Sequence, residues 1–422
     1  MIEYKDSGIE WLGTIPAHWE VKRLKDVTTL NPNYVGGNCV GDVSFVPMES
    51  LRLGQIDYQD ISFDEAKGKY TFFANEDLLI AKVTPCFENG NIAIAKNLKQ
   101  GIGFGSSEIF VLRCFDISNN YMFYYSLSSQ FQGQACATMC GVGGLKRISP
   151  LFMRTYKFAV PPLTEQQAIA DYLDKKTAEI DTQISLLENK QKAYEKLKCS
   201  LIDKVVTCGL NPDVELKDSG IDWIGEIPVH WEVKRLKSIF SECKEISSTG
   251  NEDLLSVSEY YGVARRLDVM DEDEYDTRAD SLVGYKICKK DDLVINIMLA
   301  WKRGLGFSDY DGIVSPAYAV YRGKNIVPHY YHYLLRTNKY IAEFKRNSKG
   351  IIDSRLRLYS DRFFAINTIV PPLEEQLAVA DYLDKKTAEI DECISLTDKK
   401  IKAYKRLKQS LIDEVVTGKR KI

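Results

Sequence analysis

The stretch PPLTEQQAIADYLDKKTAEID at residues 161–181 returns as PPLEEQLAVADYLDKKTAEID at residues 371–391. Extended to residues 161–209 and 371–419, the two copies agree at 34 of 49 positions. Further out, YKDSGIEWLGTIPAHWEVKRLK at residues 4–25 returns as LKDSGIDWIGEIPVHWEVKRLK at residues 216–237, identical at 17 of 22 positions. The offsets of 210 and 212 define one module that occurs twice. A solenoid needs shorter and more numerous units, so the chain reads as a duplicated two-part protein.

The repeated stretch has the pattern of one long helix. Pro161-Pro162 ends whatever precedes it. Thr164 and Gln167 have capping-box spacing, which the second copy lacks because Glu374 stands there. Leu173, Ile180, Leu187, Tyr194 and Leu201 then fall seven apart, with Thr177, Ile184, Gln191, Lys198 and Val205 four residues behind each. The second copy repeats this with Leu383, Ile390, Thr397, Tyr404 and Leu411 beside Thr387, Ile394, Ile401, Lys408 and Val415. Sustained heptads predict a coiled-coil seam between two long helices, ended by Gly209 and Gly418. The plain alternative is two amphipathic helices, each packed on its own domain.

Between the repeats lie segments of nearly equal length and mostly unlike sequence, 26–160 and 238–370. A few landmarks align: Asp77 with Asp292, Ser106 with Ser315, Arg113 with Arg322 and Arg147 with Arg357. Short β-rich runs (77–83, 91–95, 109–112, 283–288, 317–321) alternate with turn residues, and helical stretches follow at 121–131 and 328–346. The fold class is therefore mixed α+β with an internal pseudo-twofold repeat. The expected division is a first variable domain at 1–160, a long helix at 161–209, a second variable domain at 210–370 and a second long helix at 371–422. The shared parts do one job twice, and the variable parts do two different jobs.

With 422 residues, 45% hydrophobic and 27% charged, the composition is that of a folded chain with real cores. Formal net charge of −3 excludes a general polycation, though not a local basic face. No apolar run has the length of a membrane span and the N-terminus has no leader pattern, so the expected compartment is the cytoplasm. Ten cysteines form no C-x-x-C pair, and histidines at only 18, 230, 329 and 332 give no zinc pattern.

Catalytic motifs are missing. No phosphate-binding G-x-x-x-x-G-K-[ST] loop occurs. GIGFGS at 101–106 has Ser where a dinucleotide fingerprint needs its last Gly, and reads as a turn. Asn31-Pro32-Asn33 and Asn211-Pro212-Asp213 both lack the second proline and aromatic of an amino-methyltransferase motif. Asp213 and Glu215 sit two apart in a connector, too close for a nuclease metal clamp.

Basic character is local. Residues 322–362 contain ten Lys and Arg against Glu343, Asp353 and Asp361. The first variable segment has a thinner cluster, Lys146, Arg147, Arg154 and Lys157, after glycines at 141, 143 and 144. Charge polarised inside a domain is the footprint of a nucleic-acid binder, or of an ordinary solvated basic face. The matched positions of Arg147 and Arg357 favour the former.

The two repeated motifs, D-S-G-I-[ED]-W-[LI]-G-x-I-P-x-H-W-E-V-K-R-L-K and P-P-L-x-E-Q-x-A-[IV]-A-D-Y-L-D-K-K-T-A-E-I-D, resemble those of specificity subunits of type I restriction-modification systems. KVTPCFENG (82–90), DDLVINIMLAW (291–301) and GIVSPAYAVYR (312–322) resemble target-recognition domains of that family. The resemblance implies a non-catalytic subunit in which each variable domain reads half of an asymmetric bipartite double-stranded DNA site and the long helices pack antiparallel. It implies two copies of a methyltransferase subunit and a restriction/translocase subunit as partners. S-adenosylmethionine, ATP and Mg²⁺ would then belong to those partners, with no cofactor or metal in this chain and no membrane association. The DNA-contacting candidates are Lys82, Thr84, Lys146, Arg147, Lys302, Arg303, Arg355 and Arg357. Candidates for docking partners, identical in both copies and read as lying off the seam, are Lys175, Lys176, Glu179 and Asp181 with Lys385, Lys386, Glu389 and Asp391. The alternatives are a self-sufficient restriction enzyme or nuclease with fused recognition domains, and a scaffold built on the coil.

Overall fold

The structure, a computed structural model, describes residues 3–36, 39–142, 144–269 and 281–422. The chain forms two compact units, Met1–Glu188 with Lys399–Ile422, and Asn189–Asp398. Each long helix, Leu163–Cys208 and Leu373–Val416, begins in one unit and ends in the other. No helix among the described residues is long and apolar enough to cross a membrane.

In the first unit, Leu78–Ala81 is the heart of an antiparallel sheet in the order Ile92–Ile94, Leu78–Ala81, Ile109–Cys114, Thr28–Leu30. Leu-Leu-Ile-Ala is buried on both faces, as its unbroken apolar run requires. A second sheet orders Gln59–Ser62, Asp42–Val46, Ile102–Gly105 and Thr71–Ala74. GIGFGS, expected to be a turn, is thus a strand. Gly103 is needed there because a Cβ would meet the Phe73 ring at 2.5 Å. The helical stretch expected at 121–131 is two helices, Asn119–Ser126 and Ser129–Ala137. The Ser128 hydroxyl accepts from Phe131 N and starts a new helix rather than continuing the old one.

The second unit repeats the first sheet with Phe240–Glu242, Tyr318–Gly323, Leu293–Asn296 and Leu305–Phe307. Its expected single helix is likewise Pro328–Leu335 and Asn338–Asn347, divided by the Thr337 cap. Between Leu293–Asn296 and its partner Tyr318–Gly323, Asp292 and Arg322 close a two-pronged ion pair at 2.9 and 2.9 Å. The first unit has the same clamp, Asp77 with Arg113, at 2.8 and 2.7 Å. Both aspartates are buried, which explains why these landmarks agree in otherwise unlike segments.

The repeated motifs meet in space. Trp19 is buried and donates its indole N–H to Glu165 (3.1 Å), whose other oxygen lies 2.8 Å from His18 Nε2. Trp231, Glu375 and His230 repeat this at 3.0 and 2.6 Å. The next residue, Gln166 or Gln376, accepts from Ser118 N or Val327 N and donates to the proline carbonyl behind it. So the HW of the lead-in segment and the EQ of the helix start form one joint. Each unit also anchors the end of the other long helix: Tyr121 Oη donates to Val416 O in the first unit, and Tyr330 Oη to Val206 O in the second. The helix-ending glycines adopt φ of +74° and +72°. At Gly418 a Cβ would lie 2.6 Å from Pro16. Thr164 does not cap, because the first helix already begins at Leu163 with Pro162 O accepting from Glu165 and Gln166 N.

Within each unit the two helix segments run antiparallel. In the first, Lys408 reaches Asp181 at 2.7 Å and Lys405 reaches Glu188 at 3.7 Å; in the second, Lys198 reaches Asp391 at 2.6 Å. Every one of the twenty heptad positions is buried or half-buried.

Candidate nucleic-acid interface

In the first unit the hairpin Cys140–Val142/Leu145–Arg147 lies along the segment after the central strand. Ile148 N donates to Lys82 O (2.9 Å) and Thr84 N to Lys146 O (2.9 Å). The Thr84 hydroxyl donates to Gly144 O (2.8 Å) and accepts from Lys146 N (3.0 Å). Four candidates, Lys82, Thr84, Lys146 and Arg147, therefore sit on one edge; Gly143 lies outside the described residues. Lys82 places its ammonium 5.3 Å from the Phe110 ring centre. The Arg147 guanidinium grips Glu108 through two N–H donors at 2.9 and 3.0 Å and holds that carboxyl below the usual carboxylate range. Thr84 acts here by fixing the hairpin.

In the second unit the corresponding hairpin is longer. Lys349 and Arg357 exchange backbone hydrogen bonds at 2.9 Å, and Leu358 N donates to Ile297 O (2.9 Å), the counterpart of the Ile148–Lys82 tie. Arg355 is exposed in a one-turn helix, Asp353–Arg355. Ala317 stands where the first unit has Glu108, and Arg357 Nη1 donates to Leu356 O. Lys302 and Lys345 place their ammoniums 5.0 and 4.9 Å from the Trp301 ring centre, and Lys345 pairs with Asp353 at 3.1 Å. Lys302 thus borders the hairpin group.

Arg303 does not. In a left-handed turn (φ +62°), it donates to Arg336 O and Asn338 Oδ1, at the opposite end of helix Asn338–Asn347 from Lys345. There it lines a cleft with Arg336 and His332, which burial pulls down to about 10 and about 4. Adjacency in sequence to Lys302 concealed this, because the backbone reverses between them.

Trp301 and the hairpin tip escaped the sequence reading, while Lys345 and Lys349 were counted in the basic stretch without being singled out. A charge count over 322–362 holds the signal but not which charges share a hairpin.

Residues 16–189 match the family model of the type I restriction modification DNA specificity domain. The chain is 34% identical over 160 residues to the type I restriction enzyme EcoAI specificity subunit of Escherichia coli, a match covering 37% of this chain and 27% of that protein. A putative type I restriction enzyme MjaX specificity subunit of Methanocaldococcus jannaschii is 24% identical over 97% of this chain and 95% of its own.

The chain resembles type I specificity subunits.

Its match to the Escherichia coli relative spans under a third of that protein's length. The fold of a chain from a study of complex assembly and conformational transition of the type I R-M system matches with TM-score 0.74, at 15% identity and over 96% of this chain and 99% of that one.

The partner candidates divide. Lys176 pairs with Glu179 and Lys386 with Glu389, both at 2.7 Å along one helix, and Lys175 and Lys385 are exposed. Asp181 and Asp391, read as lying off the seam, instead pair across it with Lys408 and Lys198. These carboxylates also serve the coil, since antiparallel packing brings the position flanking one seam against a seam lysine of the other helix.

If Arg357 touches a phosphate, Arg357→Ala weakens binding to all DNA sequences and flattens the salt slope by about one unit. Arg147→Ala should do the same in the first unit, less whatever the Glu108 pair already neutralises. Binding titrations at several salt concentrations measure both.

Proposed function

We propose that the chain is the DNA-specificity subunit of a type I restriction-modification complex, non-catalytic by itself. The observation that carries this reading is the basic hairpin at the same place on each unit's sheet, set among otherwise unlike residues, in a chain with a type I specificity domain. Each unit reads one half of a bipartite DNA site, and the halves differ because segments 26–160 and 238–370 differ. S-adenosylmethionine, ATP and Mg²⁺ act on the methyltransferase and restriction subunits. Purified chain given DNA and these three reagents turns over nothing, and turnover appears when the partner subunits are added. Cleavage or methylation by the chain alone would overturn the reading.

Two copies of the methyltransferase subunit dock, one on the helix pair of each unit. Exposed leucines support this. Leu186 and Leu407 lie on one edge of the first unit's pair, given the Asp181–Lys408 and Glu188–Lys405 register, and Leu396 and Leu197 hold the equivalent places in the second. All four are about half exposed, where water offers nothing to an apolar side chain. Mass measurement of the assembly should give two methyltransferase copies per chain, and Leu186→Arg with Leu407→Arg should reduce this to one. A saturated 1:1 complex for the unsubstituted chain would refute the stoichiometry.

A further inference from the structure

The tip of the second unit's hairpin joins two features that rarely coexist on a water-facing loop. Ile351 is 99% exposed and Ile352 53%. Both sit between Lys349 and the exposed Arg355, with Arg357 closing the hairpin. The tip is also held in place. Asp353 is tied to Lys345, Arg355 N donates to Ile352 O (2.8 Å), Lys349 lies 6.0 Å from the Tyr359 ring centre, and Leu358 fixes the base of the hairpin to Ile297. An apolar tip ringed by cations, on a hairpin tied at its base, fits a surface that is anionic outside and apolar within. The DNA major groove is such a surface: phosphates line its walls, its width of about 12 Å admits a two-stranded β-ribbon, and each thymine presents a 5-methyl group on its floor. The first unit differs, with glycines at 141 and 144 and an exposed Leu145.

We infer that Ile351 is a specificity-determining residue that reads a thymine 5-methyl group in the half-site bound by the second unit. This rests on the proposed DNA-recognition function and adds to it the base edge and the side chain. Arg355 and Arg357 hold the groove walls while Ile351 excludes water from the methyl group.

The test uses the full chain in two steps. Selection from a degenerate duplex library first defines the preferred site, and no sequence preference at all would defeat the DNA-recognition reading itself. Each thymine of the second unit's half-site is then replaced by deoxyuridine, which removes only the methyl group. The unsubstituted chain should lose roughly tenfold in affinity at one thymine. Ile351→Ala should bind the thymine site about tenfold more weakly and no longer distinguish uracil there. Its thermal midpoint should be unchanged, since the side chain is almost wholly exposed. Three results overturn the inference while leaving DNA recognition intact: a half-site without an A·T pair, no uracil effect, or an equal uracil effect in both proteins. A fourth is loss of methyltransferase-subunit binding by Ile351→Ala with base preference unchanged, which would make the tip a protein-docking surface.

Discussion

Trp231→Ala should destabilise the second unit by about 3–5 kcal/mol, the cost of emptying a fully buried indole site. Trp231 has no exposed surface and packs 3.3 Å from where a Cβ on Gly209 would stand. It also holds Glu375 at the start of one long helix while lying against the end of the other. The surroundings cannot collapse into the void, because both helix ends are fixed by Tyr330, Gln376 and the left-handed glycine. At about 2–4 °C per kcal/mol for a unit of this size, the thermal midpoint falls by roughly 6–20 °C. Trp231→Phe keeps most of the packing and loses the indole donor, so it should cost less than half as much. Trp11→Ala, at a 42% exposed site, is the control and should shift the midpoint little. A Trp231→Ala midpoint within 2 °C of the unsubstituted chain would show that this joint does not hold the helix ends.

That joint marks where sequence reading stops. The duplication, the two long helices, their seam and their terminal glycines were legible because each is written locally, in identity, heptad spacing or a residue that tolerates positive φ. The partners of His18, Trp19 and Glu165 lie about 145 residues apart, and no period or spacing links them. Both motifs were visible, but not that they touch. The same limit hid the cross-seam pairs of Asp181 and Asp391, which depend on the antiparallel register rather than on either helix alone. The strand at 102–105 was misread because its glycines serve the neighbouring Phe73 ring, a tertiary reason that overrides local propensity. At the candidate interface, residue type and matched position led to Lys82, Lys146, Arg147, Arg355 and Arg357. Direction was not legible: Arg303 and Lys302 adjoin in sequence and serve different places.

Arg322→Ala should be the most damaging single change on the second unit's sheet outside its aromatic core. Asp292 has 1% of its surface exposed, and Arg322 supplies its cationic partner through two N–H donors. The carboxylate also accepts from Lys289 N (2.9 Å) and so holds the turn that leads into the central strand. Its hydrogen bonds to the ionised oxygens raise the Arg322 guanidinium further above its ordinary range. Removing the guanidinium leaves a buried charge without a counter-ion, a loss of about 3–5 kcal/mol in a dry site. Arg322 is 41% exposed along its side chain, so water reaches the pair and the expected loss is about 2–4 kcal/mol. The double variant Asp292→Leu, Arg322→Leu discriminates the cause. If the damage comes from the orphaned charge, removing both groups recovers much of the stability lost in Arg322→Ala, although the Lys289 turn loses its acceptor. If the damage comes from lost packing around the arginine stem, the double variant is at least as unstable as the single one. Urea unfolding of the three proteins, compared at constant slope, separates the two outcomes. Arg113→Ala should behave the same way in the first unit, because Asp77 is equally buried and accepts from Ala74 N at 2.7 Å. A duplicated clamp with the same response at both sites would explain why four residues stayed alike in segments whose surfaces diverged: they hold the sheet on which each unit displays a different hairpin.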